Sequence, residues 1–208
     1  MFRLKIPVSL FCLIGMIGFS IGGLNVHAMP QSSSEKYMWV YFDLGNTVIS
    51  TKDAKHLHYF PGAREYMHLL HRAGFKIGAI VNIPEGWGTN YPQKLQALKN
   101  VLAQDWAEQK PFEWEAFDQV ILPMKDTERK PAPTLYIKAI ENANGCPSAF
   151  IGEDPAETNA AINLGMAAKL FVENDPELYI HPLKVRDFLL RNYKRPYDPR
   201  CLIQRSSR

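Results

Sequence analysis

The sequence predicts an α/β fold, a three-layer sandwich built on a parallel central sheet. Two observations lead there. Short apolar runs of strand length alternate with segments whose apolar residues keep helical spacing. Strands separated by helices of this length are joined most simply as parallel neighbours with right-handed crossovers. The chain has 208 residues, 46% of them hydrophobic. That is enough for one well-buried domain and too little for two ordinary ones.

Taken in order, the first strand is the run Met38 to Phe42, which ends in Asp43 and the turn residues Gly45-Asn46. Ser50 to Tyr59 is polar and reads as a loop. Phe60-Pro61-Gly62 opens a helix carrying Ala63, Tyr66, Met67, Leu69 and Leu70, stopped at Ala73-Gly74. Lys76 to Val81 is a second strand ending at Asn82, and Ile83 to Tyr91 is a loop. Pro92 to Gln109 places Leu95, Leu98, Val101, Leu102 and Trp106 on one helix face. Phe112 to Phe117 is ambiguous. Gln119 to Leu122 is a third strand, followed by a charged turn through Lys130. Pro131-Ala132-Pro133 starts a helix that Asn144-Gly145 ends. Ser148 to Gly152 is a fourth strand with Glu153-Asp154 at its end. A helix over 155–166, a strand over 168–172 and an amphipathic helix over 182–193 complete the pattern.

The chain begins like an address. Arg3 and Lys5 precede an apolar stretch from Ile6 to Leu24, and Val26-His27-Ala28 has the small residues of a cleavage site. Residues 1–28 are therefore expected to be a signal peptide cut after Ala28. The stretch also nears the length of a membrane anchor. Residues 29–37 read as a linker, 38–193 as the domain and 194–208 as a tail. Either leader reading puts the domain outside the cytoplasm: periplasmic or secreted, or anchored and facing out. The formal net charge is +3, and both leader cations contribute to it, so the body is near neutral. Such a body offers no general reason for nucleic-acid or membrane binding. Cys12 leaves with the leader. Cys146 and Cys201 remain in an oxidising compartment, and spacing alone leaves their pairing open.

The chemistry-bearing residues fall at predicted strand ends. Asp43, Lys130 and the pair Glu153-Asp154 would share the carboxyl edge of the sheet, where open α/β folds collect ligands. Converging carboxylates repel one another and call for a cation. Hard oxygen donors without cysteine indicate Mg²⁺, and Lys130 would offset charge on an anionic substrate.

In these motifs the chain resembles the haloacid dehalogenase (HAD) superfamily, mostly Mg²⁺-dependent phosphatases with a Rossmann-like core. The resemblance runs over residues 38–172: Asp-Leu-Gly-Asn-Thr at 43–47, Gly-Phe-Lys-Ile-Gly at 74–78 leading to Asn82, Lys130-Pro131, and Gly152-Glu153-Asp154 with Glu157 following. It implies that Asp43 is a nucleophile forming an aspartyl-phosphate and that Lys130 holds nucleophile and phosphoryl group together. It implies a metal site of Asp43, the Gly45 carbonyl, Glu153 and Asp154, with Glu157 a further candidate. Thr47 and Asn82 are the candidates for contacting the phosphoryl group, beside Lys130. The short spacing between motifs leaves no room for a large cap domain, so phosphorylated small molecules or macromolecules could both enter.

Two positions depart from the family pattern. The residue two after the nucleophile is usually an aspartate that protonates the leaving group, and here it is Gly45. The second motif usually ends in Ser or Thr, and here Val81 stands there, with Asn82 next. The resemblance therefore implies a Mg²⁺-dependent phosphohydrolase, slow for want of its acid. Two rivals stand beside it: an impaired member that binds metal or a phosphorylated ligand, and a dehalogenase-type hydrolase, which Gly45 and Asn82 fit and the acidic pair does not.

Overall fold

The computed structural model describes residues 36–173, 175 and 179–202. Along the first strand, Val40 and Phe42 pack into one hydrophobic cluster and Tyr41 into another. A strand whose alternate residues are buried on both sides must lie inside a sandwich. This strand is β1 (Trp39–Phe42). The hairpin strands β2 (Ile49–Ser50) and β3 (His58–Tyr59) follow, then β4 (Lys76–Ile80), β5 (Gln119–Ile121), β6 (Ser148–Gly152) and β7 (Ala167–Leu170). The main sheet runs β5-β4-β1-β6-β7, with every neighbouring pair parallel.

Helices cover both faces. Helices α1 (Ala63–Arg72), α2 (Tyr91–Asp105) and α5 (Pro182–Asn192) contribute Met67, Leu70, Leu98, Leu102, Val185 and Leu189 to the cluster that contains Val40 and Phe42. On the opposite face α3 (Thr134–Asn142) and α4 (Pro155–Asn163) bring Leu135, Tyr136, Ala139 and Ala161 against Tyr41 and Phe150. The three-layer α/β sandwich predicted from the strand and helix pattern is the fold observed. No separate cap stands between Val81 and Lys130, because α2 and β5 both belong to the sandwich.

The strand order places the site. From β1 the chain steps outward through β4 and β5, then returns to the other side of β1 with β6 and β7. Connections leaving β1 and β6 therefore diverge, and open α/β sheets take ligands in the crevice at the carboxyl ends of such a pair.

Several local expectations are corrected. The stretch read as a loop from Ser50 to Tyr59 is closed by the β2–β3 hairpin, whose strands are too short to show periodicity. Helix α2 stops at Asp105 rather than Gln109 because Leu57 bridges to Trp106: Leu57 N–H donates to Asp105 O and Ala107 N–H donates to Leu57 O, both at 2.8 Å. The ambiguous stretch holds a 3₁₀ turn at Trp114–Ala116. Helix α4 ends at Asn163, followed by Gly165 in the left-handed region (φ 88°), and β7 spans Ala167–Leu170 rather than 168–172.

Cys146 and Cys201 form a disulfide. It ties the tail to the turn before β6, where Asp198 N–H also donates to Gly145 O at 2.8 Å; before β7, Lys194 N–H donates to Gly165 O at 2.9 Å. The expected signal peptide and most of the linker lie outside the described residues. Among the described residues no helix is long and apolar enough to cross a membrane.

Candidate active site

Asp43 follows β1 directly, and its N–H donates to Ile151 O at 2.8 Å, extending the β1–β6 pairing by one residue. The side chain is thus delivered to the crevice by the centre of the sheet. The Lys130 ammonium donates to Asp43 Oδ1 at 2.6 Å and forms an ion pair with Glu157 Oε2 at 2.7 Å. It also lies over the Phe150 ring, 5.1 Å from the centroid. Its side chain is only 1% exposed. A buried ammonium needs partners on most sides, and these two carboxylates and one ring supply them.

Glu153, the first residue after β6, brings a third carboxyl to the place. Burial, together with the neighbouring Asp43 carboxylate, pushes its pKa up to about 7. Its Oε2 is buried without a hydrogen-bond partner. Glu157, on the buried face of α4, is also shifted upward by burial, against the pull of Lys130. Asp43 and Glu157 therefore share one ammonium, and the Glu153 carboxyl stands beside Asp43.

Two of these carboxyls, Asp43 and Glu153, stand side by side, the number that a water-rich Mg²⁺ site needs from the protein. Mg²⁺ keeps several waters and takes one or two carboxylates plus substrate oxygens, and the unpaired oxygen of Glu153 beside Asp43 is the kind of group that a cation would satisfy. Among the described residues no group of three or more His, Cys, Asp or Glu side chains is disposed to hold a metal. Asp154, the other acid of the pair, is exposed and caps α4: its Oδ1 accepts from Ala156 N–H at 2.6 Å. Pro155 at the first helical position and an aspartate before it are an ordinary helix start.

No family model matches the chain, and no curated protein matches it. Solved structures do. A D,D-heptose 1,7-bisphosphate phosphatase from B. bronchiseptica, complexed with magnesium and phosphate, is 17% identical, with 74% of this chain and 98% of that one covered and a TM-score of 0.47. A HAD-superfamily hydrolase from Ehrlichia chaffeensis is 15% identical over 76% and 98%, TM-score 0.47. An uncharacterized protein from Listeria monocytogenes is 14% identical over 76% and 99%, TM-score 0.48. These likenesses are to overall architecture and say nothing of chemistry. The chain's own strand order and the meeting of Asp43, Lys130 and Glu153 agree with the resemblance seen in the motifs.

The fold is a Rossmann-like three-layer α/β sandwich on a parallel sheet.

In this domain the remaining candidates are placed as follows. Thr47 is 1% exposed, and its hydroxyl has no hydrogen-bond partner. Gly45 stands in the turn after Asp43, where an added β-carbon would meet only Thr51 Cγ2, at 3.5 Å. Asn82 follows the end of β4 and is exposed, with its amide engaged on Lys130 and Glu157. His68 bonds to Glu113 and His71 to Asp118, so both serve surface pairing. Trp87 packs against the core. Glu157 is the residue whose place in the site the sequence left least defined. The signal for it is its position on α4, three residues after Asp154, which turns it back toward the crevice.

Proposed function

We propose that this protein is an exported, Mg²⁺-dependent phosphohydrolase that works through an aspartyl-phosphate. The single observation behind the reading is the Asp43–Lys130 pair at 2.6 Å, set at the sheet's switch point with an unpaired Glu153 oxygen beside it. In the first step Asp43 attacks the phosphorus of a phosphate monoester, the P–O bond to the alcohol breaks, and the alkoxide leaves with a proton from solvent. In the second, water attacks the aspartyl-phosphate, releasing inorganic phosphate and restoring Asp43. Lys130 stays beside the nucleophile throughout and opposes the charge that gathers on the phosphoryl oxygens. Asp43, Glu153 and the Gly45 carbonyl would hold Mg²⁺, which neutralises carboxylate and phosphoryl charge.

Without a side chain at Gly45 the leaving group has no dedicated acid, a contribution typically worth ~10²–10⁴ in rate. Substrates with acidic leaving groups are favoured, and an uncapped edge admits phosphorylated small molecules and macromolecules. The disulfide between Cys146 and Cys201 fits the export implied by the leader, since such bonds persist in oxidising compartments.

The test is hydrolysis of a nitrophenyl phosphate with and without Mg²⁺. Turnover that needs the metal and falls ~10³-fold or more in Asp43→Asn supports the reading. A second reading, favoured by Gly45, is a module that binds a phosphorylated ligand without turnover. Phosphate binding with no hydrolysis of any ester would establish that instead.

A further inference from the structure

We infer that Asn82 is a positioning residue for Lys130 and that it does not bind the phosphoryl group. The inference deepens the phosphohydrolase reading and rests on it for the identity of the ligand. Asn82 Oδ1 accepts from Lys130 N–H at 2.8 Å, and Asn82 Nδ2 donates both to Lys130 O at 3.0 Å and to Glu157 Oε1 at 3.1 Å. One side-chain amide thereby pairs with both backbone groups of Lys130 and with the carboxylate that also pairs with the Lys130 ammonium. The partners fix the amide orientation, because reversing it would set donor against donor at Lys130 N–H.

The valence count decides what is left over. A primary amide has two N–H donors and a carbonyl with two lone pairs. Both donors are used here, and one lone pair. What remains is an acceptor, while the oxygens of a phosphoryl group are acceptors too. Asn82 is exposed at the edge, so access does not limit it. It has no hydrogen left to offer.

The surrounding contacts agree. Arg129 Nε donates to Ile83 O at 3.0 Å. Glu85 N–H donates to Asp126 Oδ1 at 3.0 Å, and Asp126 N–H returns to Glu85 Oε2 at 3.2 Å. Below them the buried Lys94 donates to Pro84 O and Glu85 O. The segment after β4 and the segment that carries Lys130 are thus joined at Asn82, Ile83 and Glu85, and Asn82 is the innermost join. Its effect on catalysis is geometric. Displacing an ammonium by about 1 Å from its place beside the nucleophile can cost on the order of 10²-fold in rate.

The decisive experiment needs no ligand. The folded protein is treated briefly with acetic anhydride, and acetylation of each lysine is read by peptide mass spectrometry in wild type, Asn82→Ala and Asn82→Asp. Lys130 is expected to be protected in wild type and labelled at least about tenfold faster in both variants, with Lys94 still protected as the sign that the fold is intact. Unchanged Lys130 labelling in both variants overturns the inference. Inorganic phosphate binding by calorimetry gives the second readout. Asn82→Ala should weaken it about tenfold in wild type and not at all in a Lys130→Met background. Equal losses in both backgrounds would mean that Asn82 touches the anion directly. Absence of phosphate binding in wild type would count against the phosphohydrolase reading and leave the labelling result to decide the role of Asn82.

Discussion

A β-carbon added at Gly152 would lie 3.3 Å from Asp43 Cβ and 2.9 Å from the Phe150 ring. Gly152, the last residue of β6, is therefore what lets the nucleophile stand against the neighbouring strand. The displaced ring would be the one beneath the Lys130 ammonium. Gly152→Ala should lower kcat/KM on an aryl phosphate by ~10²-fold and cost about 1–3 kcal/mol in urea unfolding. Full activity in this variant would argue against so close a fit.

Gly45→Asp tests the missing acid. A β-carbon at this position would make only an ordinary contact, with Thr51 Cγ2 at 3.5 Å. If Asp43 is the nucleophile, the new carboxyl should raise turnover of an alkyl phosphate by about 10- to 100-fold and change an activated aryl phosphate little. Rates compared across leaving groups of graded acidity read this directly. Equal gains for both ester types would contradict it.

Glu153 should make stability depend on pH in metal-free buffer. Its folded pKa, about 7, lies above the ordinary carboxylate value. The folded state therefore binds a proton more tightly than the unfolded chain between these values, and stability falls as pH rises from about 4.5 to 7. Thermal unfolding in EDTA should show Tm dropping across that window. Addition of Mg²⁺ at pH 8 should recover it, and Glu153→Gln should flatten the dependence.

The disulfide should carry a measurable share of stability. It joins residues separated by 55 positions, and a loop of that order is worth about 2–4 kcal/mol. A Cys146→Ser/Cys201→Ser double variant, or reduction by dithiothreitol, should lower the urea midpoint. With the tail anchored at the turn before β6, opposite the carboxyl edge, activity at low temperature should hold.

Most of the architecture was legible before any coordinates. Runs such as Ser148–Gly152, flanked by helices with caps and glycine stops, are strong local signals, and that strand appears with the bounds read from the sequence. The β2–β3 hairpin was not legible, because two residues per strand carry no periodicity. The early end of α2 was missed for a different reason. Its cause is a contact with Leu57, far away along the chain.

For the candidate site, residue type and strand-end position were enough to nominate Asp43, Lys130 and the acidic pair, because carboxylates and a lysine at strand ends are local facts of the sequence. What each one touches was decided by tertiary structure alone. Glu153 faces Asp43 while Asp154 caps a helix, and Glu157 reaches Lys130 because α4 starts at Pro155 and turns it inward. Neighbouring acids in a sequence carry the same chemistry. Only the direction in which the backbone leaves β6, set by the packing of α4 on the sheet, puts the Glu153 carboxyl beside Asp43 and gives Asp154 Oδ1 to the helix N-terminus.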